Sequence, residues 1–172
     1  TLWGIDMNRI DDAITYIGNE LTNRYRNMNK RSSSYRYYRN AEAYFHYVMA
    51  LGGQGRKGRL QTLVSNMANE KLKSQGKEHL YMFKAALYLS GDRRYEADLK
   101  TPDISAVKNE RRNSWSFYSD RRRRGFVLSI YADLFKSGKS GQRLADLVAN
   151  SLRGQRSSWY NTQELVWGTT GL

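Results

Sequence analysis

Apolar side chains recur along this chain at the spacing of an α-helix surface. Ile10, Ala13, Ile14, Ile17 and Leu21 fall at i, i+3, i+4, i+7 and i+11, which predicts a helix from about Arg9 to Arg26 with one apolar face. A polar, serine-rich break follows from Asn27 to Ser34. Ala41, Tyr44, Phe45, Val48 and Met49 form a second stripe, and Gly52-Gly53 stop it by supplying the left-handed positions that a helix end needs. Leu60, Leu63, Val64 and Met67 form a third, followed by Gly76. The fourth segment, Leu80 to Leu89, is apolar on most sides, as suits a helix at the centre of a bundle. It ends at Ser90-Gly91-Asp92, and a short helical piece runs on through Leu99. Lys100 to Asn113 is the least patterned stretch. It reads as a connection, or as a strand-like excursion around Trp115 to Tyr118. Val127, Ile130, Tyr131 and Leu134 restart the helical period, and Ser137-Gly138 and Ser140-Gly141 break it. Leu144, Leu147, Val148 and Leu152 resume it, and Gly154 closes it. A last helix is expected to open near Tyr160-Asn161-Thr162, with Asn161 or Thr162 as N-cap. Glu164 would then lie in its first turn, where a negative charge suits the helix dipole.

One motif recurs. Arg59-Leu60-Gln61-Thr62-Leu63-Val64-Ser65-Asn66 matches Arg143-Leu144-Ala145-Asp146-Leu147-Val148-Ala149-Asn150 as Arg-Leu-x-x-Leu-Val-x-Asn. Each copy follows a glycine-containing turn, and each turn follows an apolar helix carrying a tyrosine, Tyr47 or Tyr131. A third unit of the same grammar lies between them: apolar helix 80–89, turn at Gly91, helix 93–99. The 84-residue spacing therefore reads as two repeats, each one a helix hairpin. Hairpins of that length stack into solenoids or close into rings. The predicted fold is all-α, with antiparallel helix hairpins forming part of an α/α toroid. The more apolar helices (41–51, 78–89 and 122–136) would line the inside. We read residues 1–172 as a single helical domain. The segment from Tyr160 to Leu172 starts a further hairpin, so the chain is expected to be a piece of a larger protein, an expectation shared by an N-terminus without an initiator Met.

Composition narrows the chemistry. A single proline, Pro102, agrees with a helix-rich chain. The absence of cysteine excludes a disulfide scaffold, a thiol nucleophile and a thiolate metal site. No apolar run approaches a membrane span, and Thr1-Leu2-Trp3-Gly4-Ile5-Asp6 is no signal peptide. Against 16 Asp and Glu stand 29 Lys and Arg, a net charge of +13 that brings nucleic acid, anionic lipid or an acidic protein into view as partners. Much of it lies in Arg24, Arg26, Lys30 and Arg31, in Arg36 and Arg39, and in Arg111, Arg112 and Arg121 to Arg124. The simpler reading of these clusters is solvated faces and loops.

Candidate sites are sparse. His46 lies within the second stripe and His79 near the start of the next hairpin. Neither belongs to a His-x-x-x-His or His-Glu-x-x-His pair, so both read as structural or surface residues, with no metal or cofactor expected. Glu20 and Glu42 stand isolated on their helices, and no paired carboxylates present themselves for acid–base work. Gly52-Gly53-x-Gly55-x-x-Gly58 is spaced like a dinucleotide fingerprint, but it joins two helices where that fingerprint needs a strand and a helix. Tyr35-Arg36-Tyr37-Tyr38-Arg39, and Trp115-Ser116-Phe117-Tyr118 followed by Arg121 to Arg124, interleave aromatics with cations. That mixture can stack bases and hold phosphates, or can anchor a loop through cation–π contacts. Without a nucleic-acid module, nucleic acid is the less favoured partner. No catalytic residue is assigned, and the chain is not expected to be an enzyme. A toroid enzyme, such as a terpenoid cyclase or a glycan-processing enzyme, would need acidic residues around the ring mouth.

The tail, Ser158-Trp159-Tyr160-Asn161-Thr162-Gln163-Glu164-Leu165-Val166-Trp167, resembles the α2-macroglobulin and complement superfamily, where Ser-Thr-Gln opens a helix late in the thioester domain. Asn161-Thr162-Gln163 stands at that place, and an apolar helix follows. Asn40-Ala41-Glu42-Ala43-Tyr44-Phe45-His46-Tyr47-Val48-Met49-Ala50-Leu51, a glycine turn and then Gly58-Arg59-Leu60 are similar to bacterial members. So are Leu87-Tyr88-Leu89-Ser90-Gly91-Asp92 and Tyr131-Ala132-Asp133-Leu134. The resemblance runs from about residue 9 onward, and it implies the later part of an α/α-toroid thioester domain. In that family a Cys-x-Glu-Gln motif forms an internal thioester, and cleavage of a bait region exposes it to tether the attacking protease. This chain has no cysteine. Either the motif lies before Thr1 in a longer polypeptide, or this is a member that has lost it. The resemblance implies a broad-spectrum protease inhibitor (endopeptidase inhibitor activity) in the periplasm or cell envelope. This chain would contribute scaffold, and the partners would be target proteases and other domains of the same polypeptide. The alternative is a basic helical-repeat module that binds nucleic acid or an acidic protein.

Overall fold

The computed structural model describes residues 6–27, 33–68, 74–103, 119–153 and 162–172. Among them the fold is all-α, with no strand. The helices are α1 (Met7–Asn27), α2 (Ser33–Leu51), α3 (Lys57–Ala68), α4 (Ser74–Leu89), α5 (Glu96–Lys100), α6 (Asp120–Phe135), α7 (Lys139–Arg153) and α8 (Thr162–Thr170). A 3-10 turn over Arg93–Tyr95 leads into α5. Trp115 to Tyr118, read as a connection or a strand-like excursion, and Gly154, read as a helix stop, lie outside the described residues. The chain divides into two compact units, one of Thr1–Asn69 with Met82–Arg94 and one of Glu70–Tyr81 with Tyr95–Leu172, so α4 supplies residues to both.

In the first unit α1 packs against α2. Ile14 and Leu21 from the predicted stripe meet Met49, and Ile10, Ile17 and Phe45 flank them. Each such aliphatic side chain removed from water contributes roughly 1.5–3 kcal/mol, enough to bias a helix that is polar on its other faces toward this packing. Gly52 lets α2 end against α1, since a Cβ there would run into the Cδ1 of Ile14. The left-handed residue of that turn is Gly53 alone, at φ +74°. Its N–H donates to the Ala50 carbonyl at 3.1 Å, and the Gln54 N–H donates to Met49 at 2.8 Å. The end of α4 repeats this pattern. Gly91, at φ +86°, donates to Tyr88 at 3.1 Å and Asp92 donates to Leu87 at 2.8 Å. Both are Schellman caps, in which glycine adopts a backbone that a Cβ disfavours and two orphan carbonyls gain donors.

The α4 pattern bears out the reading of that segment as apolar on most sides: Met82, Phe83, Ala85, Ala86 and Leu87 are all buried. Gly76, which follows the third stripe in the sequence, lies inside α4. The Arg-Leu-x-x-Leu-Val-x-Asn copies bury the same positions. Leu60 and Val64 in α3, and Leu144 and Val148 in α7, are core residues, and Leu63 and Leu147 are half-buried.

In the second unit α6 packs against α7 and α8. Ser119 caps α6 from an extended backbone, its hydroxyl accepting the Arg122 N–H at 3.2 Å. Ser140-Gly141, expected to break the helix, lies within α7. The reason is packing: a Cβ on Gly141 would sit 2.5 Å from Cε1 of Tyr131, so this glycine is a seat for the ring rather than a stop. Phe126 meets the Trp167 ring edge-on, with centroids 4.3 Å apart.

The end of α6 departs from the glycine pattern. Lys136 has φ 58° and ψ −54°, and the Ser137 N–H donates back to the Phe135 carbonyl at 2.6 Å. This is a γ-turn with a positive φ, which costs a residue bearing a Cβ on the order of 1–3 kcal/mol. Lys136→Gly removes the strain but enlarges the unfolded ensemble, which offsets roughly 0.4–1 kcal/mol of the gain. The variant is expected to be more stable by about 1 kcal/mol. A urea midpoint that rises at constant slope is the check.

Candidate functional site

The groups with the chemistry to act are drawn into two buried charge clusters, one in each unit. In the first unit, α2 carries Glu42 and His46 on the same face, one turn apart, and both are buried. The Glu42 Oε1 pairs with Arg59 of α3 at 3.4 Å. Arg56, in the turn before α3, donates to the Gly18 carbonyl at 2.6 Å and to the Thr22 hydroxyl at 2.8 Å, tying that turn to α1. The His46 ring meets Phe83 of α4 edge-on at 6.0 Å. Burial, then the charges of Arg56 and Arg59, lower its pKa to about 4. His46 is therefore a neutral imidazole at neutral pH. Its Nδ1 has no hydrogen-bond partner among the described residues. A histidine that serves as a general base is oriented by an acceptor on its far nitrogen, and no described residue gives Nδ1 of His46 such an acceptor.

Nearby, Asp92 follows the α4 cap. Arg94 grips both its oxygens, with Nε at 2.9 Å from Oδ1 and a terminal nitrogen at 2.6 Å from Oδ2, and Gln61 donates to Oδ2 at 3.0 Å. The hydrogen bonds from Arg94, then from Gln61, hold this carboxyl well below the usual carboxylate range. A carboxylate so stabilised is a poor proton acceptor.

In the second unit, Glu78 near the start of α4 is 2% exposed and pairs with Arg122 of α6 at 2.5 Å. Burial pushes the Glu78 carboxyl up, against the opposing charges of Arg122 and Arg123. Arg123, also 2% exposed, donates to the Asp103 carbonyl at 3.2 Å, and Lys77 pairs with the Asp103 carboxylate at 2.6 Å. These bonds fix the stretch Thr101-Pro102-Asp103 and the first turns of α6 to the start of α4.

The arginine run of residues 121–124 thus corrects the solvated-face reading. Two of its members are structural, because Glu78 and the Asp103 carbonyl offer partners inside the fold. The side chains of Arg24, Arg26, Lys30, Arg31, Arg36, Arg39, Arg111 and Arg112 lie outside the described residues, as do those of Tyr35, Tyr37 and Tyr38. Glu20 and His79 are half-buried on α1 and α4. Glu42, read as isolated, has Arg59 as a cross-helix partner. The glycine run over 52–58 joins α2 to α3, so no strand precedes it. Sequence reasoning missed Glu78, Asp92 and Asp103. Of these only Asp92 carried a local signal, an Asp just past a glycine cap and two residues before an Arg, which is the spacing of an Asx-turn.

Taken together, the described residues of these clusters pair charge with charge. Among the described residues, no three His, Cys, Asp or Glu side chains gather where they could hold a metal ion. No helix among them is long and apolar enough to cross a membrane. Glu164 lies in the first turn of α8, as expected, and is buried there. Set against family models, curated proteins and solved structures, the chain matches none of them.

Proposed function

We propose that the chain is a non-catalytic helical scaffold from an α2-macroglobulin-like protease trap of the bacterial cell envelope, the later part of an α/α toroid of helix hairpins. The observation that carries the reading is the helix opening at Thr162-Gln163-Glu164. It comes where the resembling family opens a helix with Ser-Thr-Gln, and Leu165, Val166 and Trp167 follow. Two further observations support it. The repeated motif buries matching positions in α3 and α7. The buried charges are committed to ion pairs between elements, as suits a scaffold. In this reading the reactive thioester, if the polypeptide keeps one, is supplied by residues outside this chain, because the chain has no cysteine.

The test uses the natural polypeptide that carries this chain, incubated with a broad-specificity protease. Trapping is expected to stop cleavage of a large protein substrate while hydrolysis of a small peptide continues. Undiminished cleavage of the large substrate, or a natural polypeptide of this size with no flanking β-sandwich modules, overturns the reading.

The net charge of +13 favours a second reading, a basic module for nucleic acid or an acidic protein. The inward commitment of Arg122 and Arg123 removes part of one of its clusters. That reading requires retardation of RNA or DNA at low salt, with a steep loss of binding as salt rises.

A further inference from the structure

His46 occupies a place built for a neutral ring. It is 2% exposed, and α4 sets the Phe83 ring against it, the two planes 68° apart with centroids 6.0 Å apart. The charged groups that act on it are Arg56, from the turn before α3, and Arg59, from the first turn of α3. Glu42, one turn earlier on its own helix, is engaged with Arg59. A proton added to His46 therefore becomes a third cation beside two guanidiniums, and it leaves Nδ1–H without an acceptor among the described residues. The buried ionisable group of the second unit behaves in the opposite sense. Glu78 sits in a setting whose burial already favours its protonated form, so acid does not oppose its folded state.

We propose that the first unit is an acid-released element: proton uptake at His46 in mildly acidic solution parts the contacts that Glu42 and His46 of α2 make with Arg59 of α3 and Phe83 of α4, while the second unit keeps its structure. The inference is independent of the protease-trap reading. Its sign follows from His46 binding its proton less readily folded than unfolded. The pKa falls from 6.5 to about 4, so stability is complete above about pH 6.5 and drains away as pH drops toward 4. Asp92 acts outside this window, because its contribution is lost only below the ordinary Asp value of 3.8.

Hydrogen exchange of the full chain, corrected for intrinsic rates, tests this between pH 6.5 and pH 5. Protection in peptides from α2 and α3 is expected to fall by about 15-fold, the ratio that one proton with these two pKa values gives. Peptides from α6 and α7 are expected to hold theirs. His46→Leu is expected to abolish the pH-dependent loss. Should that variant fail to fold, NMR titration of the wild-type ring decides, with His46 expected to titrate near 4. Titration of His46 near 6.5, unchanged protection at α2 and α3, or a loss that persists in a folded His46→Leu chain overturns the proposal.

Discussion

Gly125→Ala is expected to loosen α8 from α6 and to destabilise the second unit by about 2 kcal/mol net. Gly125 lies in the body of α6, and a Cβ there would overlap the backbone of Trp167 and Gly168. Gly171 makes the reciprocal approach, since its Cβ would fall 2.6 Å from the Gly125 carbonyl oxygen. Overpacking costs typically 1–3 kcal/mol when side chains can shift, and here the obstacle is backbone, so the top of that range applies. Alanine's helix preference returns only about 1 kcal/mol. The Phe126–Trp167 contact is expected to part with the helices, and exchange protection across α8 is expected to fall. Gly58→Ala is the control, because its Cβ would meet nothing within 4 Å. That change, in the first turn of α3, is expected to be neutral or mildly stabilising. Equal effects of the two substitutions would refute the close approach of α6 and α8.

Arg122→Met is expected to cost about 3–5 kcal/mol at neutral pH, because it leaves the buried Glu78 carboxylate without its ion-pair partner. For a chain of this length that corresponds to a drop in melting temperature on the order of 10 °C. The loss has a pH signature. Removing Arg122 strips away the opposing charge, so burial raises the Glu78 pKa further above its ordinary value of 4.5. A raised folded pKa means stability that is present below 4.5 and lost as pH rises through the folded value. Acidification toward pH 5 should therefore restore part of the loss in the variant. Glu78→Gln combined with Arg122→Met should be far less damaging than Arg122→Met alone, since a neutral amide needs no counter-charge. Thermal melts of the three proteins at pH 7 and pH 5 read out both effects.

The helical register was legible because burial on one face imposes a period on the sequence. Ile10, Ile14, Ile17 and Leu21 alone placed α1 and its inward side, and the Arg-Leu-x-x-Leu-Val-x-Asn copies marked the core positions of α3 and α7. Glycines were read less well, because a sequence does not separate a glycine that turns the chain from one that makes room. Gly53 and Gly91 turn it. Gly141 seats Tyr131 and Gly125 admits α8, and both sit inside helices. The charge clusters were hidden for a different reason. Arg122 and Glu78 are 44 residues apart, so nothing near the arginine run announced a buried acceptor. Lys136 gave no warning either, since a positive φ on a lysine follows from how α6 and α7 meet and not from its own preference.

The claim underlying this account is that the buried charges brace a scaffold and carry no chemistry. It is tested most directly in the natural polypeptide bearing Glu78→Gln with Arg122→Met, by measuring its protection of a large protein substrate from a broad-specificity protease. Under the protease-trap reading proposed above, with helix content and melting temperature close to those of the unmodified protein, sequestration is predicted to be unchanged. Loss of sequestration in a protein that remains folded would contradict the account and assign these residues a direct part in function.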